Sequence, residues 1–69
     1  MNSILDVRNL LKRYGTFIYT GSRIGDIDLM EEEIRALYDA HMIDVKQFQQ
    51  ALLILKREKS SIDKTFNNE

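Results

Sequence analysis

Apolar residues recur at helical spacing in three stretches of this chain. In the first, Ile4, Val7, Leu10, Leu11 and Tyr14 share one face of a 3.6-residue repeat. Arg8, Asn9, Lys12 and Arg13 take the opposite side, with Leu5 the one large apolar residue among them. Ser3 followed by Asp6 has the form of a capping box, and Gly15 stands where a left-handed C-cap is wanted. The pattern predicts a helix from Ile4 to Tyr14. The second stripe is Ile24, Ile27, Met30, Ile34, Leu37 and Tyr38. Its helix begins at Ser22 or near Asp26. Continuity of the stripe favours the earlier start, although Gly25 then costs about 1 kcal/mol relative to alanine. Acidic residues crowd the first half, where the helix dipole favours them, and Glu31 with Arg35 forms an (i, i+4) pair.

A short joint, Ala40 to Asp44, separates this stripe from the third, as between antiparallel helices. Asp44 with Gln47 reads as a capping box, and Ile43 with Phe48 as the hydrophobic staple across it. Val45, Phe48, Ala51, Leu52 and Leu55 line one face of the helix that follows. Leu53 and Ile54 lie off that face. Either this helix is touched on two sides, or the extra apolar residues serve self-association. After Ser60 the chain turns polar, with Ile62 and Phe66 continuing the stripe weakly. The expectation is an all-α, compact three-helix bundle over residues 1–60, centred on Leu10, Ile34, Leu37, Phe48, Leu52 and Leu55. A frayed, mobile tail over 61–69 is expected to follow it.

The segment Tyr14 to Gly21 departs from helical patterning. It holds Tyr14, Phe17 and Tyr19, three of the six Phe and Tyr residues, between Gly15 and Gly21. Thr16 to Gly21 has the composition of a strand but no second strand to pair with, which predicts an ordered, extended loop. Phe17 and Tyr19 should then point one way and Ile18 the other. Tyr14 belongs to the apolar face of the first helix and is assigned to the core. Two readings compete for the other rings. They close a core that so small a domain needs, or they offer stacking surfaces worth about 1–3 kcal/mol per base.

Composition narrows the classes. Sixty-nine residues make a single domain near the lower size for a self-sufficient core. There is no cysteine, so neither a disulfide nor a thiolate metal site can form, and a cytoplasmic setting fits better than a secreted one. No apolar run approaches the ~20 residues that span a bilayer, and the N-terminus lacks the basic-then-apolar layout of a signal peptide. The net charge of -1 is unevenly spread. Residues 1–25 carry four cations against one acid (+3), residues 26–44 one against seven (-6), and residues 45–69 five against three (+2). Bulk charge therefore does not draw the protein to nucleic acid. Only a local patch can.

Candidate chemistry is sparse. With no cysteine and a single histidine, His41, no activated nucleophile with its base can be named. His41 is expected in the last turn of the second helix, where a cation suits the dipole. A non-enzymatic protein without a cofactor is the expectation. Asp26, Asp28 and Glu31 to Glu33 lack the ligand order of a calcium loop and read as solvated, dipole-compensating acids. Phosphate binding has more support. Arg8 and Lys12 stand one turn apart and repel unless an anion or an acid lies between them. Arg13 faces elsewhere and is placed with Arg23 beside the loop, and the Gly21-Ser22 step offers backbone N–H groups at a helix start. The glycine spacing and lysine of a Walker loop are missing.

Three motifs in order carry a resemblance: Leu11-Lys12-Arg13-Tyr14-Gly15-Thr16, then Ile18-Tyr19-Thr20-Gly21, then Met30-Glu31-Glu32-Glu33-Ile34-Arg35-Ala36-Leu37-Tyr38. Together they resemble the YqgQ-like family of small bacterial proteins over residues 1 to about 60. The resemblance implies a three-helix fold and a role in binding single-stranded nucleic acid, and it brings no catalytic residues. Residues 37–55 are also similar to a short C-terminal helical hairpin associated with oligomerisation, which has glycine where His41 stands. The expected function is thus a binding module for single-stranded RNA or DNA, RNA favoured, that makes no membrane contact. Its site would be Arg8, Lys12, Arg13 and Arg23 with Phe17 or Tyr19 stacking, extended by Lys56, Arg57 and Lys59. The alternative is a protein–protein adaptor or homo-oligomer using Leu5, Leu29, Leu53 and Ile54.

Overall fold

The structure, a computed structural model, describes residues 1–67, with side chains as far as Ile62. Three helices form: α1 (Ile4–Arg13), α2 (Arg23–Asp39) and α3 (Val45–Asn67), with no strand among the described residues. The all-helical three-helix class read from the periodicity is the class observed. Each start has its local cause. The Asp6 carboxylate accepts hydrogen bonds from the Asn2 and Ser3 N–H groups ahead of α1, at 2.7 and 3.1 Å. Ser22 caps α2 by accepting from the Gly25 N–H, so the earlier start is correct. Asp44 and Gln47 exchange side-chain and backbone hydrogen bonds at the head of α3, the reciprocal capping box expected there.

Contacts along the helices establish their directions. Arg8 meets Asp26, while Tyr14, just past the end of α1, donates its hydroxyl to the Met42 carbonyl just past the end of α2. α1 and α2 therefore run parallel. Ile4 shares a cleft with Ile27 and Glu58, whereas Leu10 and Arg13 share one with Gln47 and Gln50, so α3 runs against both. This topology explains the loop. A parallel neighbour requires the chain to travel back the length of α1, about 15 Å at 1.5 Å per residue. Five extended residues cover that distance at about 3.3 Å each, whereas a helical turn would not.

The core is Val7, Leu10 and Leu11 of α1, Ile27, Met30 and Ile34 of α2, Ile43 of the joint, and Ala51, Ile54 and Leu55 of α3. Leu37, Phe48 and Leu52 pack on it half-buried rather than at its centre, with Phe48 stacked on Tyr38 at 4.1 Å between ring centroids. α3 is the helix touched on two sides. Ile54, off its main stripe, is buried and lines a cleft with Asn2, Ser3 and Ile4 at the head of α1, so it is not available to a partner. Leu53 stays exposed. Tyr14 is not core: it is 38% exposed, because α1 ends before it and its hydroxyl is used to hold the joint. α3 continues past Ser60 to Asn67, and half-buried Ile62 packs on the core, sharing a cleft with Ser22 to Ile24. Of the tail, the Phe66 side chain and residues 68 and 69 lie outside the described part.

Candidate functional site

The loop between α1 and α2 is pinned by one polar cluster. Arg8 donates from Nη1 to the Ile18 carbonyl at 2.8 Å and from Nη2 to Asp26 Oδ2 at 3.1 Å. The other carboxylate oxygen of Asp26 accepts from both the N–H and the hydroxyl of Thr20, each at 2.7 Å. Thr20 Oγ1 in turn accepts from the Ser22 N–H. Asp26 is 5% exposed, the one buried charged residue among those described. Hydrogen bonds from the Thr20 hydroxyl, then from its N–H, hold its carboxyl below the usual carboxylate range against the opposing effect of burial, and Arg8 adds to them. Gly25 completes the arrangement: a Cβ there would stand 2.9 Å from Thr20 Oγ1.

With Thr20 and the Ile18 carbonyl tied down, the side chains between them alternate. Ile18 turns inward onto the core. Phe17 and Tyr19 turn outward, 75% and 89% exposed, and they share one cleft. The rings do not close the core, since α1 and α2 already fill it with Leu11, Met30 and Ile34. That cleft, of about 310 Å³, is lined by Arg8, Leu11, Lys12, Thr16, Phe17, Ile18, Tyr19 and Met30. Its floor is apolar and its rim is aromatic and cationic.

The cations proposed from the sequence do not converge. Lys12 is exposed at the cleft rim, and no ion pair or side-chain hydrogen bond engages it. Arg8 borders the cleft but is committed to Ile18 and Asp26. Arg13 lines a different, polar cleft of about 340 Å³ with Asp6, Asn9, Gln47 and Gln50, and so is not beside Arg23. Arg23 lies 3.6 Å from Glu58 and Lys59 lies 3.0 Å from Asp28. Arg57 sits at the head of α1, near Asn2 and Ser3, and Lys56 is exposed on the same stretch of α3. The end of α3 does lie beside α1, but at the end remote from the Arg13 cleft. His41 occupies the left-handed region (φ 60°) after α2, and Asp28 and Glu31 pair with Lys59 and Arg35. Among the described residues no helix is long and apolar enough to cross a membrane.

The chain matches the family model described as YqgQ-like over residues 1–61. It belongs to the YqgQ-like family. A relative, the uncharacterized protein YqgQ of Bacillus subtilis (strain 168), is 40% identical over 58 residues, covering 84% of this chain and 82% of the relative. Neither description names a ligand or a reaction. Within this YqgQ-like chain, the residue of the loop cluster that sequence reasoning missed is Asp26, read as a solvated acid and found buried. Its signal was present in the Arg8–Lys12 pair, whose mutual repulsion calls for a nearby acid.

Proposed function

We propose that this protein is a non-enzymatic, cytoplasmic module that binds single-stranded nucleic acid, RNA favoured, at the cleft beside Lys12. One observation carries the reading: Phe17 and Tyr19 are exposed together on a loop held in place by the Arg8–Asp26–Thr20 cluster. Exposing two rings on an ordered segment costs burial that a small core would otherwise use. A stacking partner recovers it, at about 1–3 kcal/mol per base. Lys12 supplies the phosphate contact, and Arg8 and Arg23 act in the fold instead.

Fluorescence anisotropy with single-stranded RNA at about 50 and 200 mM salt tests this. Lys12→Ala should reduce the logarithmic salt slope by about 0.7, the value of one phosphate contact on a single strand. Tyr19→Ala should weaken binding at least about fivefold with the slope little changed, because stacking releases few ions. Absence of binding at low salt rejects the reading. The adaptor alternative then takes its place, through the exposed Leu5, Leu29 and Leu53.

A further inference from the structure

Size, ring spacing and charge all limit what the cleft can hold. Its volume of about 310 Å³ is at the lower end of the roughly 300–1,000 Å³ range of small-ligand pockets. Phe17 and Tyr19 are two residues apart on a segment of alternating side chains, which sets their origins about 6.6 Å apart. Ring carbons make contact at about 3.5–4.0 Å, so the gap accepts one flat ring between them and not two. Leu11, Ile18 and Met30 give that ring an apolar floor.

The charges point the same way. Of the cations near the loop, Arg8 and Arg23 are paired with Asp26 and Glu58, and Arg13 opens onto the polar cleft. Among the described residues, Lys12 is left as the single cation at this rim that no ion pair engages. α2 (Arg23–Asp39), which supplies Met30 to the wall, carries Asp26, Asp28, Glu31, Glu32, Glu33 and Asp39 against Arg23 and Arg35, a balance of -4. A backbone running on past the cleft toward α2 meets repulsion rather than a row of lysines.

We propose that the cleft is a one-nucleotide site: it takes a single unstacked base between Phe17 and Tyr19 and the adjoining phosphate on Lys12. It does not track a strand. The proposal rests on the nucleic-acid reading above and narrows it to a strand end or a lone nucleotide.

The test is a titration of the ¹⁵N-labelled protein with adenosine, adenosine 5′-monophosphate, a dinucleotide and a long adenine homopolymer, followed by amide chemical shifts. The monophosphate should move Lys12 and residues 16–20, and its binding should weaken as salt is raised. The homopolymer should bind no more than about threefold more tightly per nucleotide than the monophosphate. Adenosine should bind more weakly than the monophosphate, and Lys12→Ala should abolish that difference. A salt slope steeper than about 2, or affinity that climbs with length as shifts spread to Arg13 and Lys56, would overturn the one-nucleotide site while leaving strand binding intact. Equal binding of adenosine and its monophosphate would overturn the role of Lys12. If no probe, homopolymer included, moves these amides at low salt, this inference and the nucleic-acid reading both fail.

Discussion

Arg8 reaches Asp26 at 3.1 Å across the α1–α2 contact, and the same guanidinium holds the Ile18 carbonyl at 2.8 Å. One side chain thus joins two helices and the loop between them. Removing it leaves Asp26 a buried carboxylate that keeps Thr20 but loses its cation. Loss of one partner is the costly direction for such a pair, because the other charge stays desolvated. Arg8→Ala should lower the melting temperature and speed amide exchange at Thr20 by at least about tenfold, as local opening becomes easier. Lys12→Ala should change neither. The double variant Arg8→Ala with Asp26→Asn should lose less than the sum of the two, since the substitutions share one contact.

Acid should act on the same cluster. The carboxyls of Asp26 and Asp6 are both depressed in the folded state, Asp26 by Thr20 first and Asp6 by the Asn2 and Ser3 N–H groups. An acid with a lowered folded pKa contributes stability that is complete above its unfolded value, about 3.9, and disappears as pH falls through the folded one. The melting temperature should therefore be insensitive to these two groups between about pH 5 and 7 and should drop below about pH 4. Asp26→Asn should start from a lower melting temperature and fall less steeply in acid. A parallel acid limb in the variant would show that Asp26 does not titrate with folding.

Gly25 separates two physical accounts of one residue. Helix propensity alone says that Gly25→Ala stabilises α2 by about 1 kcal/mol. The structure says otherwise, since the new methyl would stand 2.9 Å from Thr20 Oγ1. That oxygen is not the end of a free side chain: it donates to Asp26 and accepts from the Ser22 N–H. Relieving the overlap displaces the hydroxyl that holds the loop. Gly25→Ala should therefore be destabilising by about 1 kcal/mol or more, and the same change made with Thr20→Ser, whose hydroxyl has more rotamer freedom, should cost less. Thermal melts of the three variants decide the sign.

How far the sequence could be read follows from what kind of contact each residue makes. Helices and caps rest on neighbours within four residues, so Asp6, Ser22 and the Asp44–Gln47 exchange were all legible from spacing. Alternation put Ile18 on one side and Phe17 with Tyr19 on the other, but only the packing shows that Ile18 is the inward one. What was not legible depends on helix direction. Periodicity gives a face but not whether α1 and α2 run parallel, and only the parallel arrangement brings Arg8 to Asp26. For the same reason periodicity left Ile54 open between a second packed side of α3 and self-association, when the head of α1 covers it. Arg13 and Lys12 are consecutive, and about 100° of helix rotation sends them to different clefts.

The ends of α1 and α2 share one hydrogen-bond pattern with different residues at its strained position. After α1, the Gly15 N–H donates to the Lys12 carbonyl and the Thr16 N–H to that of Leu11. After α2, the His41 N–H donates to the Tyr38 carbonyl and the Met42 N–H to that of Leu37. Both are Schellman ends, which place the residue after the cap in the left-handed region. Gly15 has φ 80° and His41 has φ 60°. A side chain in that region costs about 1–2 kcal/mol, a cost the first end avoids and the second carries. His41→Gly should therefore stabilise the protein by about 1 kcal/mol, less whatever glycine adds to the entropy of the unfolded chain. Gly15→Ala should destabilise by a similar amount, and through the backbone alone, because nothing lies within 4 Å of a Cβ at that position. In a domain of this size each change should move the melting temperature by about 4–8 °C, in opposite directions. If His41→Gly instead lowers it, the imidazole contributes something at the α2–α3 joint beyond filling a glycine's place, and its loss would then be the larger effect.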